Sequence, residues 1–177
     1  EFDAIYVPCP AFLAAKSNRK VERVTKIGLI YATNETLKGN NVSKRMHDYL
    51  IPLYLQLAKE FRVGIVCHYV DEIDKAIQEL PGIDIYYSYD SKDYVDIYNQ
   101  FDLVVGGRVH GIGISASLGI PGIMIKHDER SSTTDGFLAK SIQVGTDYQE
   151  VKALIQDMSA YIGRYSENLL EHKENVM

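Results

Sequence analysis

From residue 26 onward, short apolar runs alternate with amphipathic stretches. KIGLIYA (26–32) is a compact apolar run and reads as a buried strand. KRMHDYLIPLYLQLAKEF (44–61) repeats Met46, Tyr49, Leu50, Leu53, Leu57 and Phe61 at helical spacing, with Ser43 as its N-cap and Pro52 as an expected kink. RVGIVCHYV (62–70) predicts a second strand. DEIDKAIQEL (71–80) predicts a helix whose opening acids suit its dipole and which Pro81-Gly82 closes. IDIYYSY (83–89) and SKDYVDIYNQ (91–100) repeat the strand and helix pair, as do FDLVVGG (101–107) and the small-residue stretch VHGIGISASLG (109–119). PGIMIKH (121–127) and SIQVG (141–145) predict two further strands, with SSTTDGFLAK between them as a loop holding a short helix. From Tyr148 the pattern predicts one long helix, with Val151, Leu154, Ile155, Met158, Ile162, Tyr165 and Leu169 on one face.

Such alternation predicts an α/β fold: a doubly wound, Rossmann-like, mostly parallel sheet of about six strands with helices on both faces. Ligands of these sheets bind outside the carboxyl ends of the strands, near the reversal of strand order. That rule selects the loops 33–43, 106–111 and 126–135. The chain opens inside an apolar run and without Met, so a preceding segment is expected. On this reading residues 1–20 are the tail and linker of a preceding N-terminal domain, and residues 21–177 form the Rossmann-like domain.

Composition narrows the function only slightly. A net charge of −5 over 177 residues does not favour nucleic acid as a partner. No apolar run reaches the length of a membrane span. The two cysteines, Cys9 and Cys67, lie in apolar settings without metal spacing, and their low number fits a reducing compartment. The sequons at Asn34 and Asn41 read as chance matches.

The candidate chemistry lies in GGRVHG (106–111), between a strand and a helix. Two glycines allow a sharp turn, the helix start attracts anions, and Arg108 offers a planar fork for carboxylate or phosphate. His110 can act as acid or base near neutral pH. The competing structural reading pairs Arg108 with a neighbouring carboxylate and makes His110 a helix cap. Gly111-Ile112-Gly113-Ile114-Ser115-Ala116 matches the dinucleotide fingerprint, with Asp128 downstream as a ribose-binding acid. That match is rejected because GGRVH stands between strand and motif, and because the unit is not the first of the fold. Small residues here serve close packing of the helix against the sheet or a ligand.

The stretch FDLVVGGRVHGIGISASLGIPGIMIKHDERSSTTDGFLA (101–139) resembles the polysaccharide pyruvyltransferase family, and the likeness extends more loosely back to KIGLIYAT and the first helix. The opening YVPCPAFL is similar to the interdomain junction of that family. The resemblance implies the C-terminal, donor-binding half of a two-domain GT-B-like enzyme. Such an enzyme moves the enolpyruvyl group of phosphoenolpyruvate to a saccharide and forms a pyruvate ketal. The family's R-x-H falls on Arg108, which would bind the donor's phosphate or carboxylate, and on His110, the candidate general acid. Gly107, Val109 and Gly111 would line the donor beside them. The family's Tyr-Asp-x-Lys falls on His127, Asp128, Glu129 and Arg130, which departs from it by His for Tyr and Arg for Lys. Asp128 and Arg130 would then belong to the donor site. Asn34 and Glu35 join them by position after the first strand, and Ser131 as a hydroxyl donor, although a polar loop explains Ser131 and Ser132 equally well. His68 reads as structural.

No metal and no cofactor is expected, with phosphoenolpyruvate as the donor substrate. The expected partners are a saccharide or lipid-linked saccharide acceptor and the N-terminal domain. The resemblance implies a cytoplasmic location, at the inner face of the membrane where a lipid-linked acceptor is used. The chain alone is expected to bind the donor weakly without turnover, and a partly exposed apolar face on the last helix would invite self-association. Two other readings remain open: a GT-B glycosyltransferase or nucleotide-sugar epimerase domain, and a non-catalytic Rossmann-like binding module.

Overall fold

The computed structural model describes residues 9–33 and 44–177. Six strands form one all-parallel sheet: β1 (Ile27–Ile30), β2 (Val63–Val66), β3 (Ile85–Tyr86), β4 (Leu103–Gly106), β5 (Gly122–Lys126) and β6 (Lys140–Gln143). Their order is β3-β2-β1-β4-β5-β6, so the winding reverses between β1 and β4. Helices α1 (Lys44–Glu60), α2 (Asp71–Glu79), α3 (Asp93–Tyr98), α4 (Val109–Ser117), α5 (Tyr148–Ala160) and α6 (Ile162–Val176) flank it. This is the expected doubly wound α/β sheet. Four strands are buried along their whole length or nearly so, which is why they read as continuous apolar runs. At the reversal, the buried Tyr54 of α1 donates its hydroxyl to Ile30 O (2.8 Å) and Val105 O (3.3 Å), joining the two halves of the sheet.

The strands are shorter than the apolar runs that announced them. After β2 the chain leaves the sheet at Cys67, whose carbonyl accepts the Tyr94 hydroxyl at 2.6 Å. His68 and Tyr69 therefore sit in the turn into α2 rather than in the strand. The tail is two helices, not one. The chain breaks at Tyr161 (φ −121°, ψ 21°), so α5 packs beside α1 while α6 packs beside α4. Of the apolar face expected to be partly exposed, Val151, Ile155, Met158, Ile162 and Leu169 are buried, while Leu154 and Tyr165 are half-buried.

Residues 9–20, read from the sequence as tail and linker, pack on this core through Phe12 and Ala15. Phe12, in a 3₁₀ turn (Pro10–Leu13), is fully buried and stacks on Phe137 with ring centroids 5.6 Å apart. Ala15 N donates to Ser117 Oγ (3.1 Å), and Arg19 N donates to Leu118 O (2.7 Å). The turn lies so close to α4 that a Cβ on Gly113 would stand 2.8 Å from Ala11 Cβ. Lys173 of α6 closes the arrangement. Its buried ammonium donates to Ala15 O (2.8 Å), Asn18 Oδ1 (3.0 Å) and Ser117 O (2.7 Å), which ties α6 and the N-terminal segment to the end of α4. Burial lowers the Lys173 pKa from its ordinary value.

Candidate functional site

A cleft of about 330 Å³ opens at the carboxyl edge of the sheet, and the turns after β2, β4 and β5 line it. A volume of that order suits a small ligand. The structure brings Gly107, Arg108, Val109, His110, Asp128 and Arg130 together on its walls. Asn34 and Glu35 lie outside the described residues, as do Asn41 and Ser43.

Arg108 precedes α4 in an extended conformation (φ −103°, ψ 116°) and gives the helix no side-chain cap. The first N–H groups of α4 therefore remain available at the cleft, where the helix dipole favours an anion. The guanidinium is held from behind. Its Nε donates to Tyr31 O (3.2 Å), Nη2 pairs with Glu72 Oε1, and the ring of Tyr69 lies 4.8 Å from its central carbon. The side chain is 12% exposed, while that of Glu72 is fully buried. The other oxygen of Glu72 accepts His68 N (2.8 Å) and Tyr69 N (3.2 Å). Burial pushes the Glu72 carboxyl up, and Arg108 with the two backbone donors only partly offsets this. Arg108 thus has the carboxylate neighbour of the structural reading and also lines the cleft. Among the described residues two of its five N–H donors are used, which leaves part of the fork for a ligand.

His110, two positions further on, is exposed at the start of α4 and makes no hydrogen bond among the described residues. Exposed and lining the cleft, it is the group best placed to exchange a proton with a ligand. Gly111 is buried and does not contact a ligand through a side chain. A Cβ there would run into Tyr98 Oη and come within 2.6 Å of Ile30 Cδ1.

The turn after β5 forms the opposite wall. His127 Nε2 donates to Gly107 O (3.0 Å), fixing the proton on Nε2 and tying this turn to the one after β4. Its Nδ1 is buried and has no partner among the described residues. Asp128 caps the following 3₁₀ segment (Glu129–Phe137) through Ser131 N and Oγ, both at 3.1 Å, and receives Arg130 Nε (2.8 Å) and Nη2 (2.7 Å). Burial opposes the Asp128 charge, but Arg130, His127 and Ser131 outweigh it and hold its carboxyl below the ordinary range. Arg130 is 61% exposed and can swing toward an anion. Ser131, expected to donate to the ligand, is instead fully buried and spends its hydroxyl on the Asp128 cap. Thr133 lines the cleft in its place.

Sequence reasoning missed Glu72, Tyr69, Cys9 and Thr133. Glu72 was hidden among the acids opening α2. Its signal is the helical period, which places Glu72 with buried Ala76 and leaves Asp71 and Asp74 exposed. Among the described residues no group of His, Cys, Asp and Glu is arranged to hold a metal ion, and no helix is long and apolar enough to cross a membrane.

Solved structures share this architecture. The glycotransferase of kitacinnamycin superposes with a TM-score of 0.56 at 14% identity, covering 90% of this chain and 42% of its own. UDP-GlcNAc 2-epimerase from Neisseria meningitidis, bound to UDP-GlcNAc, gives 0.54 at 18% identity over 84% of this chain and 40% of its own. S. aureus MnaA in its UDP co-structure gives 0.56 at 17%, with 89% and 48% covered. At these identities the likeness is one of fold, and the chain spans less than half the length of each. No curated protein sequence matches the chain. The polysaccharide pyruvyl transferase family model matches residues 1–129, a stretch that holds Arg108, His110 and Asp128 and stops one residue short of Arg130, and the chain belongs to that family.

Proposed function

We propose that the chain is the C-terminal, donor-binding half of a pyruvyltransferase that moves the enolpyruvyl group of phosphoenolpyruvate to a saccharide. The observation that carries this reading is His110, exposed on the cleft without a side-chain partner among the described residues, two positions from a guanidinium held in place by Glu72. The carboxylate and phosphate of the donor meet the free edge of Arg108, the first N–H groups of α4 and the mobile head of Arg130. His110, as the imidazolium, gives a proton to the methylene carbon of the donor. The cationic centre left at C2 is attacked by one acceptor hydroxyl, which loses its proton to solvent or a base. A second hydroxyl then displaces phosphate and its proton leaves with the phosphate, so the ketal forms and His110 is reprotonated by solvent. Positioning and electrostatics supply most of the acceleration, with one acid. No metal or cofactor is needed by these steps. The acceptor is a saccharide or lipid-linked saccharide held mainly by an N-terminal domain, and the enzyme works in the cytoplasm or at the inner membrane face.

Titration of the chain with phosphoenolpyruvate and with UDP tests this reading. Weak phosphoenolpyruvate binding that is lost in Arg108→Ala, without turnover by the chain alone, is the expected result. Tighter binding of UDP would favour a sugar-nucleotide enzyme, and binding of neither would favour a non-catalytic module.

A further inference from the structure

His68 has no role in the steps above, yet it lines the same cleft as Arg108 and His110. Its Nε2 lies 2.7 Å from Tyr98 Oη, and its ring packs on Tyr94 with centroids 4.8 Å apart. Tyr98 is fully buried, and burial keeps its phenol protonated far above neutral pH. Its hydroxyl has His68 as its partner among the described residues. If His68 Nε2 carried the proton, the Tyr98 hydrogen would be buried without an acceptor, which is costly. Tyr98 therefore donates to Nε2, and the proton of the neutral ring sits on Nδ1.

That Nδ1 has no bond among the described residues. Among them His127 Nδ1 is the buried side-chain polar atom without a partner, so His68 Nδ1 keeps some exposure, and its ring lines the cleft. Burial, then the neighbouring charges of Arg108 and His110, hold the ring neutral, pushing its pKa down to about 3. Gly111 makes the arrangement possible, since a side chain there would occupy the place of Tyr98 Oη.

We propose that His68 is a substrate-contacting residue: an N–H donor, held in the Nδ1–H tautomer by Tyr98, that hydrogen-bonds an anionic oxygen of the bound donor. Arg108 shares its charge with Glu72, so an entering anion needs further donors, and a neutral N–H supplies one that does not switch with pH. The proposal rests on the phosphoenolpyruvate reading of the cleft.

Its test has two parts, both on the 177-residue chain labelled with ¹⁵N at histidine. In the free protein, two-bond ¹H–¹⁵N spectra should show His68 with a protonated Nδ1 and an unprotonated Nε2, unchanged between pH 5.5 and 8. An Nε2–H pattern, or titration near pH 6.5, overturns the proposal. Adding phosphoenolpyruvate should then shift the Nδ1 signal of His68. Replacing His68 by Phe or Gln should weaken phosphoenolpyruvate binding by roughly 10- to 100-fold, the range for a hydrogen bond to a charged group. His68→Asn, whose amide N–H stands where Nδ1 stood, should retain most of the affinity. Equal losses in Asn and Gln would mark His68 as structural and overturn the proposal. So would unchanged binding in the Phe variant while Arg108→Ala still abolishes it, and that pattern would leave the functional reading intact. No phosphoenolpyruvate binding by the unsubstituted chain would overturn both together.

Discussion

Replacing Glu72 by Gln probes the arrangement that holds Arg108 at the cleft. The carboxylate accepts three hydrogen bonds while fully buried, two from the backbone of the β2–α2 turn and one from Nη2 of Arg108. A glutamine oxygen can keep both backbone donors. Its amide nitrogen then faces the guanidinium, donor against donor, and the positive charge loses its partner. Removing one member of a buried ion pair costs about 3–5 kcal/mol. Arg108 is 12% exposed and can draw on cleft water, which places the loss near the lower end, at about 3 kcal/mol. With a urea m-value of about 2 kcal/mol/M, the unfolding midpoint should fall by about 1.5 M. The double variant Glu72→Gln, Arg108→Gln should recover at least about 1 kcal/mol relative to the sum of the single changes, because the two groups are in contact. A midpoint shift below about 0.5 M, or strictly additive losses, would refute the claim that Glu72 restrains Arg108.

Other consequences follow from the same geometry. Gly111→Ala should lower stability by about 1–3 kcal/mol, as overpacking does, and calorimetry should show a larger drop in Tm than for Gly122→Ala, whose new methyl meets Ile112 at 3.0 Å. Burial alone would raise the Asp102 carboxyl, but hydrogen bonds from Thr25, Lys26 and Arg19 outweigh it and hold the pKa below the ordinary value. A depressed carboxyl contributes stability above its unfolded pKa and loses it as pH falls through the folded one. Wild-type stability should therefore drop below about pH 4, and chemical denaturation of Asp102→Asn should show a shallower acid slope. His110→Ala in a complete two-domain enzyme should lower kcat by roughly 10²- to 10⁴-fold while phosphoenolpyruvate affinity changes little. A similar fall in affinity would instead make His110 a binding group.

Local pattern revealed most of the sheet because β1, β2, β4 and β5 are buried on both faces and leave uninterrupted apolar traces. The reversal between β1 and β4, and with it the rule that ligands bind beside it, pointed to the turn that carries Arg108 and His110. Tertiary choices were less legible. Nothing in the apolar period of 148–177 marks Tyr161 as a break, since both halves keep their faces and only the direction changes. The apolar opening residues looked like part of something else, although Ala11 and Phe137 close on Gly113 of α4 and Phe12 stacks on Phe137. The site partners were hidden for a related reason. Glu72 and Ser131 belong to residue types usually found on surfaces, and only their burial reveals that one restrains Arg108 and the other completes a turn.

Lys173 gives the domain an unusual order of failure. One ammonium near the end of the chain holds the last carbonyl of the helix whose first residues face the cleft. A domain cut before Lys173 would lose this anchor of the site helix while keeping its whole sheet. Damage to the end of α6 would then show first as a loosened binding pocket and only later as unfolding, so ligand affinity would be a more sensitive gauge of that helix than the melting temperature.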